Sequence, residues 1–134
     1  MTRKEAREQA FCLIFENQFK NESAHETIET AVLSRDLENN DYVKNVFIGV
    51  NNNTEKIDEY ISNAANGWSL SRISKVALAA MRLSVYEMIW CSDIPVSVSI
   101  NEAVEIIKKF ATKEDASFAN GILGTISKEI KKGE

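Results

Sequence analysis

Apolar residues along this chain recur at spacings of three and four, the period of helices buried on one side, and no segment alternates convincingly as a half-buried strand would. From Arg3 to about Phe19, Ala6, Ala10, Leu13 and Ile14 share one face, with Phe11 and Phe15 beside it. Ser23-Ala24-His25-Glu26 has the Ser-x-x-Glu form of a capping box, so a short second helix is predicted to start there. Val43, Val46, Phe47 and Val50 form the next stripe. Asn51-Asn52-Asn53 interrupts it, because asparagine side chains compete for backbone hydrogen bonds. A fresh helix is predicted from near Thr54, with Ile57, Ile61 and Ala64 or Ala65 inward, ended by Asn66-Gly67 as a left-handed cap.

Ser71 to Cys91 is predicted to be a helix of another kind. Ile73, Val76, Ala80, Leu83 and Ser84 form one stripe, while Leu78, Val85 and Ile89 lie opposite. A helix apolar nearly all round belongs at the centre of a fold. Asp93-Ile94-Pro95 stops it, and Ser99-Ile100-Asn101-Glu102 has the form of a second capping box, opening a helix with Ile100, Ala103, Val104 and Ile107 inward. The last helix follows Thr112 and uses Ala119, Ile122, Leu123, Ile126 and Ile130, with Lys128, Lys131 and Lys132 suiting the negative pole of its dipole. The prediction is an all-α fold of about seven helices in a single domain over residues 1–134, and the one proline and five glycines agree with it.

Composition narrows the function more by exclusion than by indication. The longest uncharged apolar run near the middle, Val76–Met81, is far short of the roughly 20 residues that span a bilayer, and the start of the chain has no export signal. Cys12 and Cys91 sit in apolar segments without metal-ligand spacing and read as reduced, buried thiols of a cytoplasmic protein. There is one histidine, His25, so no zinc site is expected, and no phosphate-cradling glycine loop or nucleophile elbow occurs. The reading is of a non-enzyme with no catalytic residues, no metal and no cofactor. A formal charge of −4 argues against a broadly basic nucleic-acid surface, so any RNA site must be a local cluster.

Two features stand out against that background. On a helical wheel Arg3, Lys4 and Arg7 span about 100°, with Phe11 in the same sector and Phe15 just beyond it. Cations at a helix start oppose its dipole, and a phosphate backbone would offset that cost while the aromatic faces stack on bases. The same pattern also fits a solvated edge beside core phenylalanines. In the central helix, Arg82 and Glu87 sit on otherwise apolar faces. A buried charge requires a partner, either within the fold or on another protein.

Read in order, these segments resemble the NusB family over roughly residues 3–126. The motifs are Arg7-Glu8 with Ala10 and Leu13-Ile14-Phe15, then Gly49-Val50 with Asn53 and Ile57-Asp58. Trp68-x-Leu70-x-Arg72-Ile73 and Arg82-Leu83-x-x-Tyr86-Glu87 follow. Asp93-Ile94-Pro95, Ile100-Asn101-Glu102-Ala103-Val104-Glu105 and Phe118-Ala119-Asn120-Gly121-Ile122-Leu123 complete the order.

The resemblance implies two small packed helical bundles and a role in transcription antitermination and rRNA transcription. It implies binding of boxA-type single-stranded RNA together with the ribosomal protein NusE, within the transcription elongation complex, and self-association in some relatives. Arg3, Lys4 and Arg7 match the family's basic RNA contacts, Phe15 takes the place of an RNA-proximal aromatic that is often tyrosine, and Asp115 and Phe118 match a second RNA-proximal segment. Tyr86 and Glu87 fall where the family meets NusE. Departures include Glu5 and Glu8 beside the basic residues, and Ala116-Ser117 where relatives often carry a lysine. Thr112-x-x-Asp115 also reads as a capping pair. Two rival readings remain: a protein-only adaptor that has lost RNA binding, and a module like the one attached to some rRNA cytosine methyltransferases.

Overall fold

Helix boundaries follow local capping chemistry at most positions. The computed structural model describes residues 1–19 and 40–132; the Ser23–Glu26 capping box and His25 lie outside them. The Thr2 hydroxyl accepts from the Glu5 amide and opens α1 (Arg3–Asn17). Asn40 caps α2 (Asp41–Asn52) by accepting from the Val43 amide at 3.1 Å. At the asparagine-rich break, Asn53 Nδ2 donates to the Gly49 carbonyl and the Thr54 hydroxyl to the Val50 carbonyl. These side chains take up carbonyls that end α2, and α3 (Thr54–Ala64) begins afresh. Asn66 (φ 48°) and Gly67 (φ 93°) are both left-handed, as their sequence predicts.

The central helix is shorter than Ser71–Cys91. Leu70–Arg72 forms a 3-10 turn, Ile73 is extended, and Ser74 caps α4 (Lys75–Trp90) through the Ala77 amide. The helix α5 (Val96–Phe110) corrects the second capping box. It starts directly after Pro95, whose ring restricts φ and leaves no amide to satisfy. Ser99 therefore lies inside the helix, buried, and its hydroxyl bonds across to α4 rather than capping. Thr112 accepts from the Asp115 amide at 3.0 Å, the capping pair foreseen at the start of α6 (Lys113–Lys132).

Among the described residues there are six α-helices and no strand. α4 lies at the centre: α1 and α2 pack on it and on each other, α5 and α6 do the same from another side, and α3 bridges α4 and α6. The two helical groups thus share one central helix and one continuous apolar core. Ala77, Leu78, Ala79, Ala80, Met81, Leu83 and Val85 are all buried, so α4 is enclosed nearly all round. Its small residues let neighbours approach closely. On α2, Gly49 lies directly beneath the Tyr86 ring, and a β-carbon there would overlap it. Cys12 and Cys91 are half-buried rather than fully enclosed. No helix among the described residues is long and apolar enough to cross a membrane.

Candidate functional site

Helix α1 presents its basic residues in two directions, because position 4 is turned about 100° from position 3 while position 7 returns to nearly the same face. Arg3 and Arg7 face α2. The Arg3 guanidinium carbon sits 4.4 Å from the centre of the Tyr42 ring and that of Arg7 5.9 Å from it. Lys4 faces α5 and lines a shallow groove with Glu8, Glu102, Glu105, Ile106 and Lys109. Lys109 Nζ closes onto Glu8 Oε1 at 2.7 Å. Glu8 is thereby paired, and Glu105 lies 3.6 Å from Lys108 Nζ, while Glu102 also lines the groove beside Lys4.

Arg7 is the main correction to the expected site. It is 4% exposed, and its Nε lies 3.0 and 3.3 Å from the two oxygens of Glu87, which is 0% exposed. Tyr42 donates its hydroxyl to Glu87 Oε2 at 2.7 Å, and Ser99 donates to Oε1 at 2.9 Å. One carboxylate therefore ties α1, α2 and α5 to α4. The partner that Glu87 requires is internal, so neither Arg7 as a phosphate contact nor Glu87 as a partner contact fits this arrangement: both are enclosed and mutually satisfied. Burial by itself would lower the Arg7 pKa, but the charge of Glu87 reverses this and raises it. Burial, reinforced by Glu87, pushes the Tyr42 phenol far above its ordinary range, so it remains a donor. Arg82 is satisfied in the same manner, donating through two nitrogens to both oxygens of Asp58 on α3 at 2.8 and 2.9 Å.

Phe15 is half-buried within a row of rings. Phe110 stacks on Phe11 at 5.5 Å, Phe11 on Phe15 at 6.1 Å, and Phe15 meets Phe19 edge-on at 5.3 Å. Phe110 and Phe19 are the exposed ends of this row, at 44% and 64%. Phe110 closes α5 just before the turn into α6, so the row joins α1 to the region that leads to Asp115. Asp115 is half-buried in the first turn of α6. Phe118 packs edge-on against the exposed Trp68 at 5.8 Å. On another face, Tyr86 is half-buried and stacks on the exposed Trp90 at 5.2 Å, with Lys56 Nζ 5.6 Å from the Trp90 ring. A shallow depression beside Tyr86 is lined by Arg3, Tyr42, Asn45, Cys91, Asp93 and Ile94.

Sequence reading missed Tyr42, Phe110 and Trp90, and took Ser99 for a cap. Tyr42 and Ser99 carry no local signal of their role, since their partner Glu87 is distant in the chain. Phe110 and Trp90 close apolar helices and could have been singled out as large rings at helix ends.

These features define an all-helical fold locked by a buried polar node, with charged and aromatic surfaces at its helix ends. The chain belongs to the NusB family, whose profile it matches over residues 4–128. It is 45% identical over 130 residues to the transcription antitermination protein NusB of Acetivibrio thermocellus, covering 96% of this chain and 90% of that protein. The solved structure of T. maritima NusB superposes with a TM-score of 0.87 at 32% identity, covering 96% and 92% of the two chains. A chain from a crystal structure of the antitermination factors NusB and NusE in complex with double-stranded RNA superposes at 0.84 with 28% identity, covering 95% and 96%.

Proposed function

We propose that this protein is a non-enzymatic adaptor of transcription antitermination that acts in the cytoplasm and binds boxA-type single-stranded RNA together with NusE, within the elongation complex. Family membership supports the reading, as do relatives that carry the antitermination name and a related structure that holds NusE and RNA. The observation that carries it is the coincidence, at one helix, of exposed Arg3 and Lys4 with the ring row from Phe110 to Phe19. Lys4 and Arg3 would neutralise phosphates, and Phe15 would offer a stacking face, with Asp115 and Phe118 extending the surface along α6. Tyr86 would meet NusE, while Glu87 would support that face from beneath. Self-association would cover part of this surface.

With Arg7 turned inward, two cations rather than three contact phosphate, so the slope of log K against log salt should be near −1.4, from roughly −0.7 per contact. Titrating a labelled boxA oligonucleotide at several salt concentrations, with and without NusE, tests this. The acidic lining of the Lys4 groove favours one second reading, a protein-only adaptor. NusE binding with no RNA binding, even in the ternary mixture, would select it.

A further inference from the structure

We propose that Tyr42 is a positioning residue for the RNA-binding edge, holding the Arg3 guanidinium over its ring in the orientation in which it meets phosphate. This rests on the RNA-binding reading above. The Arg3 side chain is exposed, yet its guanidinium carbon is 4.4 Å from the Tyr42 ring centre, inside the range of a cation–π contact. A free arginine side chain at a helix start would lose rotamer entropy on binding. A guanidinium resting on a fixed ring has lost part of it already. The ring is fixed in two ways: it packs against the apolar core, a contact that does not need the hydroxyl, and its hydroxyl donates at 2.7 Å to buried Glu87, itself held by Arg7 and Ser99. Arg3 and Tyr42 also line the depressions on either side of them, one toward Asn40 and Asp41 and the other toward Tyr86 and Asp93. The guanidinium edge thus remains open to solvent while its face is covered. Preorganisation of this kind needs the ring and not the hydroxyl.

Four proteins separate this from a purely structural role: Arg3→Ala, Tyr42→Phe, Tyr42→Leu and the double variant Arg3→Ala/Tyr42→Leu. Each is titrated with the boxA oligonucleotide in the presence of NusE, after thermal melts establish that it is folded. Tyr42→Leu should weaken RNA binding about two- to fivefold, the scale of an exposed cation–π contact. Tyr42→Phe should bind within experimental error of the wild type although it loses the bond to Glu87. The double variant should bind no worse than Arg3→Ala alone. A second readout needs no RNA: the Arg3 side-chain protons should show an upfield ring-current shift in wild type and Tyr42→Phe, and lose it in Tyr42→Leu. If Arg3→Ala weakens binding but Tyr42→Leu does not, or if Tyr42→Leu is as harmful without Arg3 as with it, the positioning role is overturned while RNA binding stands. Absence of the ring-current shift in folded wild type overturns it whatever the RNA result. Should wild type bind no RNA, the functional reading fails first and this role falls with it.

Discussion

Arg7→Ala separates a buried clamp from a phosphate contact, because the two roles predict opposite patterns. Glu87 is 0% exposed, and the substitution leaves its carboxylate with the Tyr42 and Ser99 hydroxyls but no cation. Removing one partner of a buried ion pair costs about 3–5 kcal/mol. Two surviving hydrogen bonds place this case near the lower end, at about 3 kcal/mol, since they continue to satisfy both carboxylate oxygens. Against a total stability of roughly 5–15 kcal/mol, that is a large fraction. Urea denaturation followed by circular dichroism should show it as a lower midpoint at unchanged m-value. The salt dependence of RNA binding, measured where the variant is still folded, should keep its wild-type slope, because a guanidinium turned inward releases no counterion. Lys4→Ala should instead leave the urea midpoint nearly unchanged and reduce the slope by about 0.7. If Arg7→Ala kept its urea midpoint and lost about 0.7 from the slope, the clamp would be refuted and Arg7 restored to the RNA surface.

Gly49→Ala would drive a β-carbon into the Tyr86 ring, and overpacking of this kind costs about 1–3 kcal/mol. A smaller loss in the Tyr86→Leu background, read by denaturation, would confirm the contact as the cause. Arg82→Ala breaks the two-pronged pair with Asp58 at a half-buried site, so it should destabilise by about 1–3 kcal/mol, and Asp58→Asn/Arg82→Ala should lose little more than Arg82→Ala alone. Alkali should also destabilise the fold. Burial raises the Tyr42 and Tyr86 phenols above 10.0 and the Cys91 thiol above 9.0. Folded chains then keep protons that unfolded chains release, so this stability is complete below the unfolded values and lost as pH climbs from them toward the folded ones. Unfolding free energy should be flat up to about pH 8.5 and fall above about pH 9, less steeply in Tyr42→Phe.

Local chemistry made much of this fold legible in the sequence. The asparagine-rich break, the Asn66-Gly67 cap and the Thr112 cap all act within one turn, and each ends or opens a helix near its predicted place. The all-round apolar character of α4 likewise placed it at the centre. What the sequence concealed depends on partners far along the chain. Ser99 has a capping-box spacing, but Pro95 had already opened the helix and Glu87 competes for the hydroxyl. A helical wheel puts Arg3, Lys4 and Arg7 in one sector; only the packing of α2 and α5 on α1's two flanks divides that sector into a Tyr42 side and a Lys109 side. Glu87 was recognisable as a buried charge in need of a partner, yet its sequence neighbours do not include Arg7, Tyr42 or Ser99.

The position of that polar node bears on why it stands in an otherwise apolar core. The residues buried along α4 are mostly apolar, and apolar burial is non-directional, so it does not by itself exclude shifted registers of the neighbouring helices. A carboxylate that must meet Arg7, Tyr42 and Ser99 at once is satisfied in only one register. The node then specifies how α1, with its basic residues, is set relative to Tyr86, without adding to net stability as an apolar replacement would. Replacing its ion pair and phenol, as Arg7→Leu/Tyr42→Phe/Glu87→Leu, leaves Ser99 bonded to Ser84 and should therefore recover most of the stability that Arg7→Ala alone loses, while amide resonances of α1 and α2 broaden or double. A triple variant with sharp, single resonances and wild-type RNA affinity would show that apolar packing alone fixes the register.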